Sequence, residues 1–234
     1  MKVTYILHSC YHVELEHTCL LFDWYEGDIP PSEKPLYVFA SHCHGDHFSP
    51  AVFEKTAQQG RQVRFLLSND IWESRVPEAL REDALFVAPR HSYEVDGLKV
   101  GTLRSTDQGV AFLVECEDKR LYHAGDLNCW VWDGAPRLQN DQMTELYRQE
   151  LTALSGIELD AAFVPLDPRQ EADFDLGMRY FFETVGPEHV KHVFPMHMWG
   201  DHSVVSLFKS DPNYKKYAPL LMDVSRPGQV FPLD

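Results

Sequence analysis

The sequence predicts an α/β protein, a four-layer αββα sandwich, and three observations carry that prediction. Short apolar runs of strand length alternate with helix-like segments in both halves of the chain. A block of hairpins separates the two alternating stretches. The strand-like run PLYVFAS, the strand that ends in YHAGD and the run HVFPM each lead into residues rich in His, Gly, Asp or Met, so chemistry is expected at strand ends on one edge of the fold.

Residues 3 to 23 form two strand-like runs, VTYILHSCYHVEL and HTCLLFDWY, read as a hairpin whose second strand ends at Asp23. An acidic, Pro-rich loop leads into PLYVFAS, whose continuous apolar character fits a strand buried on both faces. A helix from Ser49 to about Gln59 precedes the strand VRFLLS, and a second helical segment, IWESRVPEAL, precedes ALFVAP. From Ser92 the pattern predicts two hairpins, SYEVDGLKVGTLRS turning at Asp96-Gly97 and GVAFLVECEDKRLYHAGD turning at Glu117-Asp118. Alternation then returns: a polar helix near Asp141 to Leu154, the strand AAFVPL, a helix near Phe174 to Val185, the strand HVFPM and a last helix, SVVSLFKS. No linker, low-complexity tract or charge block divides the chain, so residues 1–234 are expected to form one domain of two similar halves.

The formal charge of −15, from 21 basic and 36 acidic residues, repels phosphate backbones and anionic lipid. Neither a nucleic acid polymer nor a membrane is an expected partner. No run approaches the roughly 18 to 20 apolar residues of a membrane span. The first twenty residues lack the continuous apolar stretch of a secretory signal, so a cytoplasmic location is expected. Five cysteines (Cys10, Cys19, Cys43, Cys116, Cys129) without C-x-x-C spacing read as buried, reduced thiols. A chain of this size needs no metal staple to hold its core, which leaves metal ligands free for chemistry.

The most informative stretch is His42-Cys43-His44-Gly45-Asp46-His47. In an extended segment His42 and His44 share a face, roughly 6 to 7 Å apart, and can converge on one ion. Gly45 is expected to turn the chain so that Asp46 and His47 address a second position beside the first. Imidazole and carboxylate together suit Zn, Mn, Fe or Ni rather than Ca. Chance gives H-x-H-x-D-H in roughly one of 400 sequences of this composition, which makes a merely solvated loop the weaker reading. Each ion needs about four ligands including water, so the rest must come from remote strand ends. Asp126, closing YHAGD, can bridge two cations, and His197, within FPMHMW, projects from the same sheet edge.

In these features the chain resembles the metallo-β-lactamase-fold superfamily, and within it the ascorbate-6-phosphate-lactonase-like metal-dependent hydrolases. The resemblance rests on HSCYHVEL, LLFD, SHCHGDH, YHAGD and PMH, in that order, and covers nearly the whole chain. It implies His42 and His44 on a first metal, Asp46, His47 and His197 on a second, and Asp126 between them. It also implies a further first-metal histidine before the GVAFLVE strand, where this chain reads RSTDQG instead. Asp107 is the nearest metal-competent side chain there. Either it substitutes as an oxygen ligand and hardens the first site toward Mn or Fe, or it caps a turn and leaves an enzyme with one ion.

The same resemblance sets His8 near the metal mouth as an orienting group or substrate contact. His202, just beyond His197, is a candidate for anchoring substrate or donating a proton. His123 reads as a packed residue, and His12, His17, His91, His189 and His192 show no partner pattern. Trp24, Tyr25, Trp130 and Trp132 follow strand ends and form either an aromatic wall or core, while Asp23 orients a ligand or caps its loop.

One or two divalent ions, Zn first with Mn, Fe or Ni as alternatives, supply Lewis acidity and a water of lowered pKa, which is the chemistry of hydrolysis. The expected activity is metal-dependent hydrolysis of a small molecule, with Asp46 also orienting the nucleophile. The resemblance favours an ester, a lactone or a phosphorylated sugar-acid lactone. A phosphodiesterase of a small phosphodiester and a metal-binding sensor without turnover are the other readings. A small-molecule substrate is the expected partner, and exposed aromatic edges are compatible with a homo-oligomer.

Overall fold

The apolar runs form two mixed sheets laid face to face. The structure is a computed structural model that describes residues 1–233. The first sheet holds β1 (Lys2–Leu7), β2 (Cys10–Glu14), β3 (Cys19–Phe22), β4 (Leu36–Ala40), β5 (Val63–Ser68) and β6 (Ala84–Val87). The second holds β7 (Ser92–Val95), β8 (Leu98–Arg104), β9 (Val110–Cys116), β10 (Lys119–His123), β11 (Ala161–Pro165) and β12 (Val193–Met196). A closing strand, β13 (Gln229–Pro232), returns to the first sheet, giving the order β13-β1-β2-β3-β4-β5-β6 beside β12-β11-β10-β9-β8-β7. Strands β3 to β6 run parallel, as do β10 to β12, while the hairpins β1-β2 and β7 to β10 are antiparallel.

Parallel neighbours require crossovers, and these supply the helices. Helix α1 (Ala51–Ala57) joins β4 to β5 and packs Val52 and Phe53 on the outer face of the first sheet, with Phe53 against Phe65 at 4.9 Å between ring centroids. Helices α2 (Arg137–Leu151) and α3 (Leu176–Val185) flank β11 on the other side, where Phe181 stacks on Tyr122. Helix α4 (Ser203–Ser210) turns Val204, Val205 and Phe208 inward. Between the sheets the core is aromatic: Phe163 meets Tyr11, Phe194 and Phe22 at 4.7, 5.2 and 5.9 Å. Such ring pairs add about 0.5–1.5 kcal/mol beyond area burial. The predicted four layers are therefore present, and the two hairpins turn where expected, at Asp96-Gly97 and Glu117-Asp118, all four with positive φ. No helix among the described residues is long and apolar enough to cross a membrane.

Several boundaries differ from the sequence reading. The first strand-like run is two strands, because the β1–β2 register shifts between Tyr5 and Leu7 and His8 turns the chain with φ 55°. IWESRVPEAL is not an α-helix but two 3-10 turns, Glu73–Arg75 and Glu78–Asp83. Pro77 is the cause: Val76 before it is extended (φ −92°, ψ 127°), as a residue preceding proline prefers. Helix α2 begins four residues before Asp141, directly after Pro136, whose ring suits a helix start. Strand β13 carries no signal strong enough to have been read. All five cysteines are free, but Cys43 is only partly buried.

His12, in β2, is fully buried with both ring nitrogens lacking a hydrogen-bond partner. Burial first, then the nearby Arg61 charge, pushes its pKa down to about 4. The unfolded chain takes a proton near pH 6.5 that the folded chain refuses, so this contribution is complete above pH 6.5 and is lost as pH falls toward 4. His12→Leu should therefore lose about 2 kcal/mol less stability than the wild type between pH 7 and pH 5 in urea unfolding. Equal losses in the two proteins would contradict this.

Candidate metal centre

The carboxyl ends of the parallel strands converge on one edge, as the sequence led us to expect. Asp23 follows β3, Ser41 and His42 follow β4, Asp126 lies just past β10, Asp167 past β11 and His197 past β12. The β1–β2 turn brings His8 to the same edge, and the β8–β9 turn brings Asp107. After His44 the chain coils, with the His47 and Phe48 amides both donating to the His44 carbonyl, which carries Asp46 and His47 round. Gly45 is not what permits this: a Cβ there would meet nothing within 4 Å and its φ is not positive. The indispensable glycines are Gly109 and Gly125, whose added Cβ atoms would lie 2.0 Å from the Ser41 carbonyl and 2.6 Å from Ser41 Cβ.

Two groups of donors result. One atom from each of His42, His44, Asp107 and Asp126 lies within 4.8 Å of the others, and the same holds for His8, Asp46, His47 and His197. Asp126 faces both groups. Its Oδ2 is 3.6 Å from His42 Nε2, and its Oδ1 is 3.1 Å from His47 Nε2 and 3.4 Å from His197 Nε2. Asp107 Oδ2 is 3.4 Å from His44 Nδ1, so the aspartate does stand beside the H-x-H pair where the resembling family has a histidine.

Oxygen partners behind the rings fix their orientation. Asp23 Oδ2 accepts from His47 Nδ1 at 2.8 Å, and Asp167 Oδ2 accepts from His197 Nδ1 at 2.8 Å. The Ser41 hydroxyl donates to Asp23 at 2.7 Å and so can only accept from His42 Nδ1, 2.9 Å away. All three rings thus carry their proton on Nδ1 and aim Nε2 at the centre, the arrangement in which a second oxygen orients a metal-ligating histidine. Asp23 was legible as a possible orienter. Asp167 and Ser41 were missed; Asp167 ends the run AAFVPLD much as Asp23 ends LLFD, and that parallel was the available signal.

The chemistry of the donor set fits divalent cations. His8, His42, His47 and His197 each bury an Nε2, and Asp126 an Oδ1, without a hydrogen-bond partner. So many unpaired polar atoms converging in one place would cost several kcal/mol, and a cation satisfies them together. Burial would raise the pKa of Asp126, but the charges of His47 and His197 outweigh it and hold the carboxyl ionised. Burial likewise opposes charge on His47, yet Asp126 and Asp23 raise its pKa well above the imidazole range. Burial and the neighbouring Asp126 push the Asp107 carboxyl up, the mark of negative charges crowded together.

A cavity of about 390 Å³ opens over both groups, walled by Trp130, Trp132, Trp199 and Arg169. Trp130 and Trp132 stack at 6.0 Å, and the Arg169 guanidinium lies 4.4 Å over Trp199 while pairing with Asp167. Trp24 is instead buried and donates to the Gly27 carbonyl, and Tyr25 meets His8 edge-on at 6.3 Å. His202 is not among the cavity-lining residues; it packs edge-on against Tyr5 at 5.8 Å. His123 is packed, stacked on Phe22 and bonded through Nε2 to the Ser9 carbonyl.

The side chains of His44 and Asp107 are 42% and 40% exposed, whereas those of His47 and His197 are 0% and 2% exposed. The outer group should therefore surrender its ion to a chelator first. Asp107→Ala is expected to lower the metal content from two ions per chain to one by elemental analysis. Two ions retained in the variant would remove Asp107 from the donor set.

The segment 2–133 matches the family described as a beta-lactamase superfamily domain. A Desulforamulus reducens protein described as a metal-dependent hydrolase is 25% identical over 255 aligned residues, covering 98% of each chain. A protein of the same description from Opitutus terrae is 41% identical over 150 residues, covering 54% of this chain and 63% of that one. Among solved structures, Igni18, a metallo hydrolase from Ignicoccus hospitalis, superposes with a TM-score of 0.61 at 17% identity, covering 100% of this chain and 99% of that one. The family match spans more than half of the chain, and the two-sheet architecture agrees with it. The chain belongs to the metallo-β-lactamase-fold branch of the beta-lactamase superfamily.

Proposed function

We propose that the protein is a metal-dependent hydrolase of a small anionic ester or lactone, such as a phosphorylated sugar-acid lactone. One observation carries the reading: two four-donor groups lie side by side at the floor of a cavity of about 390 Å³, with Asp126 a member of one and its Oδ1 facing His47 and His197 of the other. That volume suits a small molecule, not a polymer. A larger groove of about 650 Å³ near the β7–β8 and β9–β10 turns offers no comparable convergence of donors; its Lys191 and Lys119 pair with Asp160 and its Arg120 with Glu115. His42, His44 and Asp107 would hold an outer ion, Asp46, His47 and His197 an inner one, and Asp126 both. Zn, Mn, Fe and Ni all suit these donors.

When bound, the ions supply Lewis acidity at the scissile group and lower the pKa of the attacking water. The protein's own side chains do the rest. Asp46, half-buried at the cavity floor, turns Oδ2 toward the imidazoles and leaves Oδ1 to take the water's proton. Burial would raise its pKa, but the His8 contact and the His47 charge hold it low, so it is ionised. Trp130, Trp132 and Trp199 exclude water from one side of the cavity and offer flat faces for substrate carbon. Among the described residues, Arg169 is the cation lining the cavity; its Nε and Nη2 engage Asp167, which leaves Nη1 for a substrate carboxylate or phosphate. Five free cysteines support a cytoplasmic location.

The test is a screen of protein loaded separately with Zn, Mn, Fe or Ni against anionic lactones, a thioester and bis-(p-nitrophenyl) phosphate. Turnover of the lactones is the expected result. Turnover of the phosphodiester alone would favour the phosphodiesterase reading, and no turnover with any metal would count against an enzyme. With an active substrate in hand, Arg169→Met should raise KM about tenfold or more for the anionic form, matching the loss of a charge-assisted hydrogen bond, while leaving metal content unchanged.

A further inference from the structure

His8 stands apart from the other histidines at this edge, because nothing in the sequence pattern of the metal loop involves it. Its backbone is in the left-handed region (φ 55°), a conformation that costs a bulky residue about 1–3 kcal/mol and persists only where the surroundings enforce it. Here they do. The His8 amide donates to Tyr5 Oη at 3.0 Å, and the His8 carbonyl accepts from the His197 amide at 3.3 Å. The register shift in β1–β2 turns the side chain in toward the metal-site edge. The ring is then wedged between His197, 4.2 Å away, and Trp199, 4.7 Å away, and the residue is only 6% exposed.

Nε2 of this wedged ring is buried and has no hydrogen-bond partner. Asp46 Oδ2, at 3.4 Å, lies beyond the roughly 2.9 Å usual for such a bond. A substrate contact or a leaving-group acid would have to face the cavity, and His8 is not among the residues that line it, although its neighbours Asp46 and His197 are. What the ring does face is the inner donor group: one of its nitrogens lies within 4.8 Å of donor atoms of Asp46, His47 and His197, and Nε2 is 3.4 Å from Asp46 Oδ2.

We infer that His8 is a ligand of the inner metal ion, a fourth protein donor beside Asp46, His47 and His197, with Asp126 Oδ1 as the fifth. This rests on the proposed metal-dependent reading of the site. Its consequence is a choice of ion. Zinc in proteins is held by about four ligands, water included, whereas five nitrogen and oxygen donors suit Mn(II), Fe(II), Co(II) or Ni(II) in a five- or six-coordinate site. The outer group, with His42, His44, Asp107 and Asp126, has four. The two positions therefore differ in coordination number, and the inner one selects against tetrahedral zinc.

The experiment uses Co(II), whose visible absorption is weak when the ion is five- or six-coordinate and strong when it is four-coordinate. Metal-stripped wild type, His8→Gly and His8→Asn are titrated with Co(II) against a competing chelator; Gly and Asn both accept a positive φ, so the turn survives in each. The wild type should take up two ions, the tighter one with weak bands. Both variants should bind the tighter ion at least about 100-fold more weakly, beyond the roughly 10- to 100-fold range of a residue that only orients a ligand. Their bands should intensify, and added imidazole should restore weak bands in His8→Gly. Unchanged affinity and bands in both variants would overturn the inference, leaving His8 as packing for His197. Weaker binding with unchanged bands would also overturn it, making His8 a positioning residue. If the wild type itself takes up no Co(II), the proposed metal site falls, and His8 as its ligand falls with it.

Discussion

The geometry of the site depends on one buried carboxylate. Asp23 ends β3 with φ 47°, wholly shielded from solvent, and its two oxygens accept from the Ser41 amide, the Ser41 hydroxyl and His47 Nδ1. Burial alone would raise its pKa, but the neighbouring His123, His47 and His42 reverse that and keep it ionised. Through Ser41 it sets the tautomer of His42, and directly it sets that of His47, so one acid orients a donor in each of the two groups. Asp167 repeats the arrangement for His197 on the second sheet. The site therefore lies where the two sheets meet, and each sheet brings its own orienting acid.

This arrangement explains why the edge is strained. His8, Asp23 and His197 all have positive φ, and Gly109 and Gly125 press against Ser41 too closely for any side chain. Distortions of this kind cost about 1–3 kcal/mol each and are sustained by the aromatic core behind them. They hold donor atoms close together in a ring of like-charged acids and unpaired imidazole nitrogens, an arrangement that favours a bound cation over a relaxed apo site. Binding ions would add stability by mass action and so offset the cost of that strain. The graded exposure from His47 to Asp107 then sets a firm inner position beside a yielding outer one, and both border the cavity.

Much of this was legible in the sequence, for a physical reason. His42, His44, Asp46 and His47 fall within six successive positions, so short-range geometry alone brings them together; Asp126 and His197 are readable because they follow apolar strands that must be buried. The four layers follow from the same alternation. Asp107 could be nominated only by its position, and it does lie beside His44. The roles of Ser41 and Asp167 were hidden because a hydrogen bond across two strand ends leaves no spacing signal. His8 reads as part of a continuous strand that the resemblance sets near the metal mouth, and the bulge and left-handed turn show where its ring goes. Gly45 misled in the opposite sense, since its place in the motif suggested a need that the coil after His44 does not have. Pro77 broke a helix that apolar spacing had suggested.

The central claim is that Asp126 lies between two ions. Anomalous diffraction from crystals grown with Mn(II) tests it most directly. The account predicts two peaks, one beside each Asp126 oxygen, the inner near His47 and His197 and the outer near His42 and His44. A single peak, or two peaks that do not share Asp126, would contradict it.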